Sequence, residues 1–266
     1  MAVRILHLSD LHMGHGEAWE PLPALVELIA SLEPALLLAT GDLAHRGRLA
    51  ELEAAAGLLT GLGLPLLAVP GNHDIPYTFP GRFTRTFDAW EQVFGTCEPH
   101  YAAEGLTVAG LSSARPWRQQ GGALDGEPLE RAMGRLRDAP AGALRVVALH
   151  HHLAAPPWRA ARKRPLSRRE HVLRALLAGG AELVVGGHVH QASIADRREF
   201  KALEEGSRRS IVLATAPGLG RPRPQRREEA RGLNVYEANA ELLLVRTYVW
   251  DGVSFAEVAQ RGFARG

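Results

Sequence analysis

The stretch Val3-Arg-Ile-Leu-His-Leu-Ser-Asp-Leu-His12 leads from an apolar run directly into a polar loop. A short apolar run that ends in polar residues is typical of a buried strand. Four further segments follow in alternating order: a helix at Leu22–Leu32, a strand at Ala35–Ala39, a helix at Leu49–Leu62 and a strand at Pro65–Val69. This β-α-β-α-β order predicts parallel strands with right-handed crossovers, whose functional loops lie at the carboxyl ends of the strands.

The alternation of helices and strands continues to about residue 190. The predicted elements are a helix at Thr84–Phe94, a strand at Leu106–Leu111, a helix at Leu129–Arg137, a strand at Arg145–Leu149, a helix at Arg168–Ala178 and a strand at Leu183–Val185. Beyond about Ser193 only strands are predicted, at Ser210–Ala214, Leu233–Glu237 and Leu242–Val249. We expect a single domain over residues 1–266, in which a β-rich part, 191–266, follows the alternating part, 1–190, and completes a second sheet packed on the first.

The composition is that of a globular protein with a full core. Of 266 residues, 46% are hydrophobic and 23% are charged, which excludes general disorder. The net charge of +2, from 31 basic and 29 acidic side chains, does not favour a polyanion as partner. The chain begins with a strand pattern, and no apolar run approaches the roughly 18 residues that cross a bilayer. A cytoplasmic location without a membrane partner is therefore expected.

A single cysteine, Cys97, stands against twelve histidines. One thiol excludes an intramolecular disulfide and a thiolate metal cluster. A metal ion in this chain must therefore be bound by imidazole nitrogen and by oxygen.

Polar side chains of the types that commonly bind metal ions follow five of the predicted strands. The five segments are Asp10-Leu-His12, Gly41-Asp42, Gly71-Asn-His-Asp74, His150-His-His152 and Gly187-His-Val-His190. In extended chain, residues two apart point to the same side, so both Asp10 with His12 and His188 with His190 present two ligands to one point. Each segment alone is more typical of a capped turn, but five such strand ends in one chain predict a common metal site.

The order of these segments resembles the pattern D-x-H, G-D, G-N-H-D/E, H and G-H-x-H of the calcineurin-like metallophosphoesterases, and the resemblance runs from Val3 to His190. Within this family the chain resembles the bacterial branch that acts on cyclic nucleotides and glycerophosphodiesters. The resemblance implies an α/β fold, a four-layer α/β/β/α sandwich with two mixed β-sheets flanked by helices. It also implies two divalent ions, the first held by Asp10, His12 and His190, the second by Asn72, His150 and His188, with Asp42 bridging both.

The charges of such a centre suit a phosphodiester. Two divalent cations carry four positive charges, and Asp10, Asp42 and a bridging hydroxide nucleophile return three. The remaining positive charge matches the single negative charge of a phosphodiester. Mixed nitrogen and oxygen ligands favour Mn, Fe, Zn or Co over Ca or Mg, without choosing among the four.

His73 is next to the predicted ligand Asn72 but lies outside the ligand set. In the family that the chain resembles, the equivalent histidine protonates the leaving oxygen, and the acid that follows, here Asp74, orients its ring. The alternative is a histidine that only positions Asn72.

The triple histidine leaves the ligand register open. Since the apolar run Val146–Leu149 leads directly into His150, we choose His150 as the ligand and keep His151 as the alternative. His152 is a candidate to face the substrate. His7 lies inside an alternating strand, which favours a packed residue over a ligand.

Three residues in all are candidate substrate contacts. Arg115 and Trp117 follow the strand end at Leu111 and, with His152, are predicted to line the pocket. Trp117 would either stack on a base or pack under its loop.

Three functions compete. The first is hydrolysis of a small phosphodiester by a dinuclear metal centre. The second is a DNA or RNA nuclease of the same chemistry, for which the arginine-rich segment 157–174 is the only support. The third is a non-enzymatic scaffold on the same fold, which the complete ligand set makes the least favoured.

Overall fold

The computed structural model describes residues 2–14, 19–118, 120–154, 163–196, 210–221 and 229–265. Within these ranges the strands form two six-stranded sheets. The first sheet contains β1 (Val3–Leu8), β2 (Leu36–Ala39), β3 (Leu66–Ala68), β10 (Gly232–Ala238), β11 (Leu242–Trp250) and β12 (Phe255–Ala264). The second contains β4 (His100–Ala103), β5 (Leu106–Gly110), β6 (Leu144–Ala148), β7 (Leu183–Gly186), β8 (Ser193–Asp196) and β9 (Val212–Thr215). The helices are α1 (Leu22–Leu32), α2 (Leu49–Thr60), α3 (Gly81–Thr84), α4 (Asp88–Phe94), α5 (Gly126–Arg137) and α6 (Arg169–Ala178).

Both sheets are mixed. The first has the order β12-β11-β10-β1-β2-β3, in which β1, β2 and β3 are parallel and β10 to β12 are antiparallel. The second has the order β4-β5-β6-β7-β9-β8, with β5, β6, β7 and β9 parallel and antiparallel strands at both edges. The parallel strands place their carboxyl ends at one edge of each sheet, which is where the predicted ligands follow.

The core has three layers of apolar side chains. The middle cluster lies between the two sheets and includes Ile5 and Leu38 of the first sheet and Val146 and Val185 of the second, all fully buried. A second cluster includes Leu52 of α2 and Trp90 of α4 with residues of the first sheet. A third joins α5 and α6 to the second sheet. Helices therefore cover the outer face of each sheet, and the predicted four-layer α/β/β/α sandwich is confirmed.

The expectation that the β-rich part completes the second sheet is confirmed for β8 and β9 but is wrong for β10 to β12. Strands β10 to β12 extend the first sheet, since β10 pairs antiparallel with β1 in the register Ile5↔Tyr236. The second sheet contains β4, β5, β6 and β7 from the alternating part and only β8 and β9 from the β-rich part. Periodicity identifies strands but not their neighbours, so the change of sheet after β3 leaves no trace in the sequence pattern.

Single elements also differ from the sequence prediction. The helix expected at Thr84–Phe94 begins only at Asp88, as α4, while Thr84 is the last residue of α3, after which Arg85 leaves the helical region at φ −142° and ψ 47°. Strands β4, β8 and β12 were not predicted. Strand β12 is an edge strand that is exposed along most of its length, and such a strand carries little apolar alternation. None of the described helices is long and apolar enough to span a bilayer.

Candidate metal centre

The five predicted loops meet at the carboxyl ends of β1, β2, β3, β6 and β7. Hydrogen bonds join loops of the first sheet, from Asp10 N to Gly41 O at 2.9 Å and from His73 N to Asp42 Oδ1 at 2.8 Å. A third hydrogen bond crosses between the sheets, from His188 N to Asp10 Oδ2 at 2.9 Å. The site therefore forms only where the two sheets come together.

The backbone of these loops is unusual. Five of the seven described non-glycine residues with positive φ lie here: Asp10 (54°), His12 (46°), Asp42 (51°), His188 (70°) and His190 (55°). The left-handed conformation costs roughly 1–2 kcal/mol for a residue with a side chain. Strain of this kind clusters at functional sites, where surrounding contacts hold it in place.

Two glycines allow the loops to approach one another. A Cβ atom at Gly187 would overlap the side chains of Ser9 and Asp10, and one at Gly71 would overlap Asp42. Both positions therefore need a residue without a side chain, because the neighbouring carboxylates occupy the space.

The first group of ligand atoms consists of Asp10, His12 and His190, whose ligand atoms lie within 4.8 Å of one another. His190 Nε2 is 3.0 Å from Asp10 Oδ1 and 3.2 Å from His12 Nε2. Ser9 Oγ and the His188 N–H both bind the other oxygen, Asp10 Oδ2, at 2.7 and 2.9 Å. The Oδ1 atom is thus left facing the two imidazoles.

The second group surrounds His150 and His188. His188 Nδ1 lies 3.2 Å from His150 Nε2, which in turn lies 3.3 Å from Asp42 Oδ1. Asp42 also belongs to a group with Asp10 and His150 and to one with His12 and His73. It is therefore the carboxylate shared between the two sides of the site.

The donor atoms fit bound cations. Asp10 Oδ1, Asp42 Oδ2 and Asn72 Oδ1 are buried and form no regular hydrogen bond with the described protein atoms. Buried oxygens without a donor are costly unless a cation or water satisfies them. Pairs of imidazole nitrogens 3.2 Å apart likewise need a proton or a cation between them. Nitrogen and oxygen donors in this proportion suit divalent transition metals.

In three histidine rings one nitrogen donates a hydrogen bond to a backbone carbonyl. His150 Nδ1 lies 2.7 Å from Thr40 O, His188 Nε2 lies 3.2 Å from Gln120 O, and His73 Nδ1 lies 2.9 Å from His45 O. A carbonyl only accepts a hydrogen bond, so each of these nitrogens carries a proton, and the other nitrogen of the ring points away from the carbonyl.

The two carboxylates of the site remain ionised at neutral pH. Burial raises the pKa of Asp10, but His190 and His150 outweigh this effect, and the net pKa is below the ordinary value. Asp42 behaves in the same way, with His150 as its largest opposing influence. The site therefore offers two negative charges in a buried setting.

The expected role of Asp74 is wrong. Its two oxygens accept hydrogen bonds from Ala44 N at 2.7 Å and from Gly71 N at 2.8 Å, while the His73 ring is held by the His45 carbonyl. Asp74 therefore joins two ligand loops instead of orienting the ring. Burial, with the charge of Asp42, raises its pKa to about 7.

His151 lies beside the site as well. Its Nδ1 is 2.8 Å from Ser113 Oγ, and its ring centre is 4.6 Å from that of His188. Its ligand atom groups with those of His150 and His188, but only His150 also groups with Asp10 and Asp42. This geometry favours His150 as the ligand.

Two of the predicted substrate residues are turned away from solvent. His152 is 2% exposed and stacks on His188, with ring centres 5.8 Å apart. Arg115 is 6% exposed and forms an ion pair with Asp125 at 2.8 Å. Neither placement supports substrate contact, because both side chains are buried and Arg115 is engaged in its ion pair.

Trp117 is 66% exposed, so the alternative that it packs under its loop is wrong. Contact between Trp117 and a substrate stays a prediction. His7 is fully buried, with Nδ1 2.8 Å from Tyr236 Oη and Nε2 2.7 Å from Thr40 Oγ1. The expectation of a packed residue is therefore confirmed for His7.

Sequence reasoning missed one charged residue at the site. Glu229 Oε2 lies 3.3 Å from His190 Nδ1. Glu229 precedes β10 within an arginine-rich segment of the sequence, so neither spacing nor periodicity distinguishes it from a solvated charge.

Comparison with known proteins agrees with this geometry. The family model described as "Calcineurin-like phosphoesterase" matches residues 3–192. A Synechococcus sp. protein named "Probable cyclic nucleotide phosphodiesterase" is 30% identical over 159 residues, which are 57% of this chain and 58% of that protein. The chain therefore matches little more than half of this relative's length.

Solved structures share the fold at low identity. Purple acid phosphatase PPD1 from yellow lupin (Lupinus luteus) seeds has a TM-score of 0.72 at 14% identity, over 100% of this chain and 54% of that one. Plasmodium GAP50, described as the anchor in the inner membrane complex, has a TM-score of 0.61 at 10% identity, over 99% of this chain and 89% of that one. At such identities the likeness shows the fold alone. The match over residues 3–192 covers most of the chain, and the chain belongs to the calcineurin-like phosphoesterase family.

Proposed function

We propose that the chain is a phosphodiesterase that hydrolyses a small organic phosphodiester with two divalent metal ions. The observation that carries the proposal is the shared position of Asp42 between two groups of ligand atoms. Asp42 Oδ2 lies 4.0 Å from His12 Nε2 on one side, and Asp42 Oδ1 lies 3.3 Å from His150 Nε2 on the other. One carboxylate between two sets of donors is the arrangement that a pair of cations needs.

The residues of the site divide into two ligand sets. Asp10, His12 and His190 would hold the first ion; Asn72, His150 and His188 would hold the second; Asp42 would serve both. When bound, the pair supplies an activated water and positive charge beside the phosphoryl oxygens. The preferred metals are Mn, Fe, Zn or Co, because the donors are imidazole and oxygen.

The protein charges support a diester over a monoester. Among the proposed ligands only Asp10 and Asp42 are carboxylates, and both have a pKa below the ordinary value. The amide of Asn72 adds no charge. With two divalent ions and a hydroxide bound, these ligands would leave one net positive charge. A phosphodiester carries one negative charge at neutral pH and a phosphomonoester close to two, so the diester is the better match.

His73 is proposed as the acid that protonates the leaving oxygen. Its Nδ1 is held by the His45 carbonyl at 2.9 Å, which leaves Nε2 as the atom that can exchange a proton with the substrate. The ring is half-buried and lies edge-on to His12, with centres 4.9 Å apart. It is therefore beside the first ligand group yet open to an incoming molecule.

Exposed aromatic side chains follow His73 along the chain or lie in the segment next to Pro116. Tyr77 (54% exposed), Phe79 (81%), Phe83 (54%) and Trp117 (66%) form what we term the aromatic rim. The ring of Tyr77 is 6.5 Å from that of His73. Arg82, which precedes Phe83, donates to Pro116 O at 2.7 Å and so joins the two loops that carry the rim.

The aromatic rim supports a leaving group with a planar ring. Exposed aromatic faces stack on nucleobases at a favourable free energy of roughly 1–3 kcal/mol per base. The Synechococcus relative is named a probable cyclic nucleotide phosphodiesterase. A cyclic nucleotide, which carries both the diester and the base, is therefore the first substrate to test.

The nuclease alternative depends on the arginine-rich segment 157–174, of which the structure describes only a part. Residues 157–162 lie outside the described residues, and Arg164, Arg168, Arg169 and Arg174 are exposed. Exposed arginines are typical of a solvated face, so they do not favour a nucleic acid. The fold also serves as an anchor, which is how the Plasmodium protein is described, but the intact ligand set of this chain favours catalysis over a scaffold role.

The experiment compares diester with monoester hydrolysis. Metal-stripped protein is supplied in turn with Mn²⁺, Fe²⁺, Zn²⁺ and Co²⁺, and turnover of bis(4-nitrophenyl) phosphate and 4-nitrophenyl phosphate is measured. We expect turnover to return with metal and to be faster for the diester. A panel of cyclic nucleotides, glycerophosphodiesters and single-stranded DNA and RNA follows. If none of the four ions restores turnover of either ester, the proposed enzymatic activity is contradicted.

A further inference from the structure

Glu229 places its carboxylate behind the imidazole of His190. Glu229 Oε2 lies 3.3 Å from His190 Nδ1, and the two side chains are 8% and 12% exposed. On the opposite side of the same ring, Nε2 lies 3.0 Å from Asp10 Oδ1 and 3.2 Å from His12 Nε2. The ring of His190 thus stands between a carboxylate and the first ligand group.

The other histidines of the site are supported differently. His150, His188 and His73 each direct one ring nitrogen at a backbone carbonyl. His12 Nδ1 is buried and has no hydrogen-bond partner within the described part of the chain. A carboxylate is a stronger acceptor than a carbonyl and carries a full charge, so the contact to His190 differs in kind.

The chain around Glu229 is anchored to the ligand loop. Arg231, two residues later, donates to Leu219 O at 3.0 Å and forms an ion pair with Glu20 at 2.7 Å. Gly220 N donates in turn to Asp10 O at 3.0 Å. The backbone that leads out of Glu229 is therefore connected through two hydrogen bonds to the loop of Asp10.

We infer that Glu229 is a positioning residue that sets the affinity of the first metal position. It accepts the Nδ1–H proton of His190, which keeps Nε2 free to bind the ion and makes that nitrogen a better donor. Its negative charge also favours a cation on the far side of the ring without occupying a ligand position. The inference rests on the proposed metal centre and adds a residue that no motif of the family pattern contains.

The test measures metal binding without any substrate. Metal-stripped wild-type protein, Glu229→Gln and Glu20→Gln are titrated with Mn²⁺, and free Mn²⁺ is followed by electron paramagnetic resonance. Glutamine keeps the size of Glu229 but removes its charge. Glu20→Gln is the matched control, since it weakens the ion pairs to Arg221 and Arg231 in the same turn but contacts no histidine in the described structure.

Loss of an outer partner of a metal-binding histidine typically weakens metal binding by roughly 10–100-fold. We expect Glu229→Gln to weaken one of two Mn²⁺ affinities by this factor, with the other affinity and the melting temperature of the metal-free protein unchanged. Glu20→Gln should bind both ions like the wild type.

Three results would overturn the inference. If Glu229→Gln retains both affinities, Glu229 does not position His190, while the proposed function stands. If the two variants lose affinity equally, the turn and not the carboxylate is responsible. If the wild type binds no Mn²⁺, Zn²⁺ or Co²⁺, the proposed function fails together with the inference.

Discussion

Asp42 Oδ1 lies 3.3 Å from His150 Nε2, and both side chains are fully buried. Asp42 follows β2 of the first sheet, whereas His150 follows β6 of the second. Burial lowers the pKa of His150, but the charge of Asp42 outweighs it and raises the value to about 9 in the metal-free protein. The pair therefore joins the two sheets at the point where we propose that the cations bind.

The first prediction concerns the shared ligand. Asp42→Asn removes one of the two carboxylate charges of the site and replaces one carboxylate oxygen by an NH₂ group, so both proposed cation positions should weaken. The loss of turnover should exceed the roughly 10–100-fold typical of losing an outer partner. Metal content after dialysis and the rate of diester hydrolysis measure the two effects. Retention of one tightly bound ion together with normal turnover would show that Asp42 is not shared.

The second prediction separates acid catalysis from metal binding. His73→Ala should lower turnover by roughly 10²–10⁴-fold, the usual contribution of a positioned acid. Both metal affinities should remain, since His73 lies outside the proposed ligand set. The loss of turnover should be smaller for substrates whose leaving group needs no protonation, such as 4-nitrophenyl esters, than for alkyl esters. Equal loss of metal and turnover would instead assign His73 to the positioning of Asn72.

Most of the site was accessible to sequence reasoning because its residues follow apolar strands directly. Asp10 comes two residues after β1, and His150 comes two residues after β6. Parallel strands in a sandwich must bring such ends together, so a local pattern was enough to predict a common site.

The remainder depends on contacts between distant segments. The pairing of β1 with β10 is antiparallel, and the sequence pattern of neither strand specifies its partner. The contact between Glu229 and His190 likewise joins two segments whose own sequence patterns do not predict that they meet. The role predicted for Asp74 differs for another reason. Both of its oxygens accept hydrogen bonds from backbone N–H groups, of Ala44 and Gly71, and the His73 ring donates its hydrogen bond to the His45 carbonyl.

The third prediction tests the ligand register of the triple histidine. His150→Ala should weaken one cation position, because His150 Nε2 faces both Asp42 Oδ1 and His188 Nδ1. His151→Ala should have the smaller effect, since the Nδ1 of that ring is engaged with Ser113. Each variant is the control for the other in a Mn²⁺ titration. The opposite ranking of the two affinities would assign the ligand role to His151.

The fourth prediction concerns the aromatic rim. Trp117→Ala and Tyr77→Leu should each raise KM for a cyclic nucleotide by roughly tenfold, since one base stack contributes roughly 1–3 kcal/mol. KM for a glycerophosphodiester, which has no planar ring, should not change. Val253→Ala, at a residue 84% exposed and outside the rim, is the matched control. A similar rise in KM for both kinds of substrate would contradict stacking.

The fifth prediction concerns stability and His7. Burial lowers the pKa of His7 to about 3 in the folded protein, so between pH 3 and 6.5 the unfolded chain binds more protons and stability falls as the pH falls. From pH 7.5 to pH 5 this contribution amounts to about 2 kcal/mol. His7→Gln removes the titration while keeping a polar side chain beside Tyr236 and Thr40. Urea unfolding of the metal-free proteins should show the variant less stable at pH 7.5, with the difference shrinking by about this amount at pH 5; a difference independent of pH would show that His7 does not titrate in this range.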